Sequence, residues 1–123
     1  MTTRPSSSST SPLAHLPLTP VVMHILLALA DEERHGYAIA QEVERVSSGG
    51  VRMGPGTLYG SIQRLAKSGL IEEAKRRPAA RDDDERRRYY KLTALGRRVL
   101  EAETARLAEL VAVAKSKRVL RPA

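Results

Sequence analysis

The chain contains no cysteine, tryptophan or phenylalanine among its 123 residues. Without cysteine it can form no disulfide, no thiolate zinc site and no cysteine nucleophile. Tyrosine, present four times, is the only large aromatic residue, which argues against single-strand nucleic-acid binding by base stacking. No apolar run approaches the length of a membrane span, and the N-terminus lacks the apolar segment of a signal peptide. These absences predict a soluble, cytoplasmic protein with an aliphatic core and no membrane partner.

Acidic residues are in the minority, with 14 Asp and Glu against 21 Lys and Arg and a net charge of +7. This balance favours a polyanionic partner, nucleic acid before an anionic membrane surface. The chain has no Gly-rich phosphate loop, no paired carboxylates on a helix face and no nucleophile–base spacing. Asp31, Glu33 and His35 share one short charged turn without a fourth ligand, so we interpret them as a solvated loop. The sequence therefore predicts no enzyme activity, no cofactor and no metal site.

The first part of the chain is predicted to be an arm followed by two helices. Residues 1–16 are rich in Ser, Thr and Pro and show no hydrophobic period, so we interpret them as a disordered arm. Thr19 and Pro20 suit the N-cap and first residue of a helix that is apolar almost all round and should lie in the core. An amphipathic helix follows, and its predicted buried stripe is Ile39, Ala40, Val43 and Val46.

A third helix has clear boundaries in the sequence. Pro55 suits its first position, where the missing N–H costs nothing, and Gly69 suits the left-handed residue after its end. Leu58, Ile62 and Leu65 recur at the spacing of one apolar stripe, which should face the core.

The opposite face of this third helix is small, polar and positive, and it carries no acidic residue. A solvated helix face normally mixes charges of both signs, so this face is interpreted as one that meets an anion. Tyr59 lies on its flank. The members of the face are Gly56, Thr57, Gly60, Gln63, Arg64 and Lys67.

The segment after the third helix is predicted to form a two-stranded hairpin. An extended segment starts at Leu70, a turn rich in Arg and Asp follows, and residues 88–92 alternate as a returning strand with Tyr90 toward the core and Tyr89 toward the surface. A helix followed by such a hairpin outlines a winged helix-turn-helix, in which the helix enters the major groove. The turn carries four consecutive acids at positions 82–85, which a phosphate backbone would repel.

A helical period returns at Thr93 and continues to about Lys117, which corresponds to a helix of roughly 35 Å. Its apolar strip is longer than a winged-helix core can cover, and the simplest partner for the remainder is the same helix of a second subunit. The alternative is a helix that folds back on its own domain. The predicted dimerisation residues are Leu95, Val99, Leu100, Leu107, Leu110, Val111 and Ala114.

The fold class that follows is mainly α with a small β-hairpin. We assign residues 17–92 to a winged helix-turn-helix DNA-binding domain, residues 93–118 to a long C-terminal dimerisation helix, and residues 119–123 to a tail.

Several motifs along residues 18–110 resemble the PadR family of transcriptional regulators. They are His35-Gly36-Tyr37 with Ile39, Pro55-Gly56-Thr57-Leu58-Tyr59, Leu65, Gly69-Leu70-Ile71, Arg88-Tyr89-Tyr90, Leu92-Thr93 and Gly96. The resemblance implies a winged helix-turn-helix of the short branch of the family, with a single dimerising helix after the wing. It further implies repression of a nearby promoter that a small-molecule effector relieves. Gly60 departs from the family pattern, which usually has a bulkier residue there.

The leading hypothesis is therefore a homodimeric repressor that binds an inverted-repeat operator in double-stranded DNA. Gly56, Thr57, Gln63, Arg64 and Lys67 would meet the major groove. Contacts to phosphates that set the register would come from Tyr59, Arg86, Arg87 and Arg88. The alternative is a winged-helix adaptor that binds protein and whose basic surface is incidental. A salt titration separates the two, because genuine DNA affinity falls steeply with salt.

Overall fold

The computed structural model describes residues 11–75 and 88–120. Its helices and strands follow the predicted order, with one additional strand and one additional 3-10 helix. A short 3-10 helix (Pro12–His15) comes first. The elements that follow are α1 (Pro20–Ala28), β1 (Arg34–His35), α2 (Gly36–Val46), α3 (Pro55–Lys67), β2 (Ile71–Glu73), β3 (Tyr89–Leu92) and α4 (Ala94–Ser116). The predicted wing turn, including Arg86, Arg87 and residues 82–85, lies outside the described residues.

Side-chain caps mark the start of three of the four α-helices. The hydroxyls of Thr19 and Thr93 accept hydrogen bonds from backbone N–H groups three residues later, at 3.2 and 2.9 Å, and start α1 and α4. His35 caps α2 in the same way, because its Nδ1 accepts from the N–H of Ala38 at 3.2 Å. Such caps satisfy helix donors that have no partner within the helix. The predicted Thr19-Pro20 start of the first helix is confirmed.

The sheet has three antiparallel strands in the order β1–β3–β2, whereas the sequence predicted a two-stranded hairpin. Ile71 of β2 lies opposite Leu92 of β3, and His35 of β1 lies opposite Tyr89 on the other side of β3. The prediction missed β1 because two residues are too few to show a strand period. Tyr90 packs against the core as predicted, and the ring of Tyr89 meets His35 edge-on with centroids 5.4 Å apart.

The core is aliphatic, as predicted, and lies where the four α-helices pack together with β2. Its buried members are Ile25, Leu26, Ala28, Leu29, Ile39, Val43, Leu58, Ile62, Leu65, Leu70, Ile71, Val99 and Leu100. Val46 was predicted to be buried but is 49% exposed, because it is the last residue of α2 and lies beyond the core. Among the described residues, no helix combines the length and the apolar character that a membrane span requires.

Residues 12–15 form the 3-10 helix, although the sequence placed residues 12–16 in a disordered arm; residues 1–10 of that predicted arm lie outside the described residues. The 3-10 helix packs against α4. The N–H of Leu18 donates to Glu103 Oε2 at 2.9 Å, and Arg106 donates to both carboxylate oxygens of Glu103 at 2.6 and 3.0 Å. Local sequence patterns could not reveal this contact, because Leu18 and Glu103 are 85 positions apart.

The long helix α4 is divided into a buried first part and an exposed second part. Val99 and Leu100 are 0% and 5% exposed, and Leu95 packs against the same core. We therefore move these three residues from the predicted dimer contact to the protomer core, because Val99 and Leu100 are already covered there and Leu95 is partly covered. Leu110 and Val111 are 52% and 47% exposed.

The start of α4 packs so closely on the chain after α3 that position 96 cannot carry a side chain. A Cβ on Gly96 would overlap the carbonyl oxygen of Leu70, which is backbone and cannot turn aside. We expect Gly96→Ala to lower the free energy of unfolding by about 3 kcal/mol, measured by urea denaturation. Gly56→Ala is the matched control, since a Cβ at Gly56 has no atom within 4 Å and should not destabilise. Equal stability of the two variants would contradict the close contact.

The Glu103 carboxylate should make stability depend on pH. The hydrogen bonds from Arg106, and then that from the Leu18 N–H, hold the pKa of Glu103 below its ordinary value of 4.5. A carboxyl with a lowered pKa stabilises the fold above its unfolded-state pKa, and this contribution is lost as the pH falls through the lower folded-state pKa. We expect Glu103→Gln to lower the melting temperature at neutral pH.

Melting curves from neutral pH down to about pH 3 provide the measurement. The difference between wild type and Glu103→Gln should be largest at neutral pH and should shrink once the pH falls below the ordinary carboxyl range. Glu101→Gln, on an exposed position of the same helix, is the control and should melt like the wild type at every pH. A difference for Glu103→Gln that is independent of pH would contradict this account.

Candidate nucleic-acid interface

The orientation of α3 is set by its buried stripe. Leu58, Ile62 and Leu65 are all at most 5% exposed in the core, which confirms the predicted inner face. The helix starts at Pro55 without a side-chain cap, and Gly69 after its end has a φ of +82°, the left-handed conformation predicted for it. The other side of α3 is consequently turned away from the core.

This outward side carries the residues that the sequence predicted to meet DNA. Gly56, Thr57, Gln63, Arg64 and Lys67 are all exposed on it. None of the 13 residues of α3 is acidic. The face therefore offers two cations, an amide and a hydroxyl, which are donors suited to phosphates and base edges.

Arg64 does not extend freely into solvent. Its Nη2 donates to Ser61 Oγ at 3.3 Å, and Ser61 is only 3% exposed. The guanidinium thus lies back along α3, where the open space beside Gly60 accommodates it: a Cβ on Gly60 would be 3.5 Å from Arg64 Nη1. Ser61 was not among the predicted site residues, because its inward position hides it from any surface pattern.

Several cations around α3 are paired with carboxylates, whereas the two cations of α3 are not. Arg34, Arg45, Arg52, Arg88, Lys91 and Arg106 each lie within 4.0 Å of a carboxylate oxygen. Arg64 and Lys67 form no ion pair within residues 11–75 and 88–120. Their charge is therefore available to an external anion.

Tyr59 packs where α3 meets the start of α2. Its ring lies on the backbone of Gly36, and the residue remains 38% exposed. It also forms one wall of a groove of about 930 Å³ between α2 and α3, together with Tyr37, Met53 and Leu58. Sequence analysis placed Tyr59 on the flank of the outward face but did not predict the groove, which depends on the crossing of two helices.

The two strands of the wing, β2 and β3, carry charged side chains that pair with each other. Arg88, about half exposed, has its Nε 3.7 Å from Glu73 Oε2, and Lys91 Nζ is 3.9 Å from Glu72 Oε2 across the β2–β3 pair. Arg86 and Arg87 lie outside the described residues, so of the predicted wing contacts only Arg88 can be placed. The part of the chain that the structure describes holds no group of His, Asp and Glu side chains that could bind a metal ion.

Comparison with known proteins points to one family. The model of the transcriptional regulator PadR-like family matches residues 25–102. A 37.1 kDa protein in transposon TN4556 of Streptomyces fradiae is 43% identical over 92 residues, which cover 72% of this chain and 23% of that protein. The transcriptional regulator Rv3488 of Mycobacterium tuberculosis is 39% identical over 90 residues, covering 73% of this chain and 78% of the relative.

A solved structure of a transcriptional regulator from Clostridium thermocellum has the same fold, with a TM-score of 0.60 and 26% identity over 81% of this chain and 90% of its own. The family model extends from the middle of α1 into α4, so it spans the core, α3 and the wing strands together. On this evidence the chain belongs to the PadR-like family of transcriptional regulators, which are DNA-binding winged-helix proteins and not enzymes.

Proposed function

We propose that this regulator is a homodimeric repressor that recognises an inverted repeat in double-stranded DNA and is released by a small-molecule effector. The outward face of α3 carries the proposal, because it combines exposed donors with two unpaired cations and no acid. In this arrangement α3 enters the major groove.

Base reading would fall to Gln63 and Arg64, since an amide pairs with adenine and a guanidinium with guanine in bidentate geometry. Thr57 and Lys67 would contact the groove and the adjacent phosphates. To reach a base, Arg64 has to give up its single hydrogen bond to Ser61, which is long at 3.3 Å. A bidentate contact with guanine would replace that one bond by two.

Phosphate contacts that set the register would come from Tyr59 and Arg88, together with Arg86 and Arg87. The Arg88–Glu73 pair is exposed on both sides, and such surface pairs contribute only about 0–1 kcal/mol. Exchanging the carboxylate for a DNA phosphate is therefore energetically accessible to Arg88.

Dimerisation would use the second half of α4. Leu107, Leu110, Val111 and Ala114 recur at the spacing of one helix face, and Leu110 and Val111 are about half exposed in the protomer. An equivalent strip on a second copy would cover them through a two-fold axis. The two α3 helices would then read half-sites about one helical turn apart, ~10 bp centre to centre.

Relief by an effector is supported by the groove between α2 and α3. Its volume of about 930 Å³ falls in the usual range of small-molecule pockets, roughly 300–1,000 Å³. Tyr59 belongs both to its wall and to the proposed DNA contacts. A compound in the groove would therefore touch a side chain that DNA binding requires.

Replacing Arg64 and Lys67 separately should distinguish base reading from phosphate contact. Arg64→Ala should weaken binding to the preferred duplex by roughly 1–3 kcal/mol and relax the preference at one base pair of each half-site. Lys67→Ala should weaken binding to all duplexes alike and reduce the salt slope by about one. The measurement is fluorescence anisotropy with a duplex selected by the wild type and a random duplex, over a series of salt concentrations.

Arg45→Ala is the matched control for this experiment, because it removes a cation from α2 that is already bonded to Glu42 at 3.0 and 2.8 Å. It should leave the preferred sequence unchanged. An Arg64→Ala protein with wild-type affinity and preference would show that α3 does not read the groove. DNA affinity that is independent of salt would favour a protein-binding adaptor instead.

Introducing a charge into the exposed apolar strip of α4 should prevent dimerisation. Leu110→Asp places a carboxylate where a second copy would pack, so sedimentation at micromolar concentration should show a monomer. Ala112→Asp adds the same charge about 160° around the helix from position 110, at another exposed residue, and should remain dimeric. A wild type that sediments as a monomer, or equal effects of the two variants, would contradict the proposed interface.

A further inference from the structure

Position 36 carries a glycine that backbone conformation does not explain. The described glycines with positive φ are Gly49 and Gly69, both at 82°, and Gly36 is not among them. It is the buried first residue of α2, where its φ suits any residue and alanine would favour the helix. The reason for a glycine must therefore be what its missing side chain would meet.

The missing side chain would meet the ring of Tyr59. A Cβ built on Gly36 would lie 2.7 Å from Tyr59 Cε1, 2.8 Å from the hydroxyl oxygen and 2.9 Å from Cζ. Each distance is well below van der Waals contact, so the end of the ring rests directly on the Gly36 backbone.

This contact differs from those of the other glycines at helix starts. A side chain at Gly96 would meet backbone, the carbonyl of Leu70, which cannot move without the fold. Side chains at Gly54 and Gly56 would meet nothing within 4 Å. At Gly36 the obstacle is the tip of a side chain that is 38% exposed, and such a ring can swing outward. Alanine at position 36 should therefore displace Tyr59 and leave the fold intact.

We propose that Gly36 is a positioning residue for DNA binding: its bare backbone is a seat that holds the Tyr59 ring, and thereby the Tyr59 hydroxyl, in place for contact with the DNA backbone. The inference rests on the proposed function, in which Tyr59 touches phosphate. It adds a residue that itself need not contact DNA.

The seat is tied to the sheet as well as to α2. The preceding residue, His35, caps α2 through Nδ1, pairs with Tyr89 in the β1–β3 ladder and meets the Tyr89 ring edge-on. Tyr59 of α3 thus rests on a residue whose neighbour, His35, is paired with β3. Seating Tyr59 at Gly36 therefore sets the position of its hydroxyl relative to both α3 and the wing.

The test is a double-mutant cycle with the full chain. Gly36→Ala, Tyr59→Phe, Tyr59→Ala and the double variant Gly36→Ala/Tyr59→Ala are compared with the wild type. For each protein, anisotropy gives the affinity for a duplex selected by the wild type and for a random duplex, as a function of salt. Thermal melting gives the stability.

Gly36→Ala and Tyr59→Phe should each weaken both duplexes by about 3- to 10-fold, as expected for one hydrogen bond. The salt slope should not change, because no cation is removed. The melting temperature of Gly36→Ala should stay near that of the wild type, which a merely structural role would not allow. In the Tyr59→Ala background, Gly36→Ala should cost no further affinity and should raise the melting temperature slightly, since the obstacle is gone and alanine favours the helix.

Two results would overturn the positioning role. If Gly36→Ala lowers DNA affinity as much in the Tyr59→Ala background as it does alone, the substitution acts through something other than Tyr59. If Gly36→Ala keeps full DNA affinity while Tyr59→Phe binds DNA more weakly, the contact between Gly36 and Tyr59 is not needed for DNA binding. A wild type without salt-dependent DNA binding would refute the proposed function and with it the role in binding. In that case the melting data would still show whether positions 36 and 59 are coupled.

Discussion

The contact between the start of α4 and the chain that leaves α3 is the constraint on which the rest of the structure depends. Thr93 Oγ1 donates to the carbonyl of Gly69 at 2.6 Å and accepts from the N–H of Gly96, while the N–H of Thr93 donates to the carbonyl of Leu70 at 3.1 Å. Gly96 then lies against that same carbonyl. One short junction thus joins the end of α3, both wing strands and the start of α4. The orientation of α4 relative to the end of α3 therefore depends on hydrogen bonds and close packing at this junction.

The arginines around α1 and α2 and the cations of α3 differ in the groups that they contact. Around α1 and α2 the arginines make hydrogen bonds within the protomer. Arg34 Nε donates to the carbonyl of Ala28 at 2.7 Å, and Arg97 Nη2 donates to the carbonyl of Ala30 at 2.8 Å. Arg45 donates to both carboxylate oxygens of Glu42. The α3 surface instead presents Arg64 and Lys67 without carboxylate partners among the described residues. Exposed cations without carboxylate partners remain available to an external anion, and no acidic residue within α3 offsets these two.

The helix α4 is packed in the protomer core along its first turns and is largely exposed along its later turns. Its first turns contribute Val99 and Leu100 to the protomer core, and Glu103 then anchors the N-terminal segment through Leu18. Beyond Arg106 the apolar residues are largely exposed, with Leu110 at 52%. The sequence strip is continuous through both parts, since helical periodicity reports only which face is apolar. It does not report whether that face meets the same chain or another.

Local patterns were sufficient for the order of the four α-helices, the Thr19 cap and the outward face of α3, but they revealed neither the 3-10 helix nor the His35 cap. Thr19-Pro20, Pro55 with Gly69, and the Leu58–Ile62–Leu65 stripe each carry their meaning within a few neighbouring residues, because capping and periodicity are short-range effects. Contacts between distant segments were not accessible in this way. The third strand β1, the order of residues 12–16, the burial of Glu103 and the division of α4 all depend on residues tens of positions apart. The same holds for the close approach of Gly36 to Tyr59. The sequence by itself determined which face of α3 points outward, because helical periodicity is local, and only the tertiary structure decided that Tyr59 on its flank packs against Gly36.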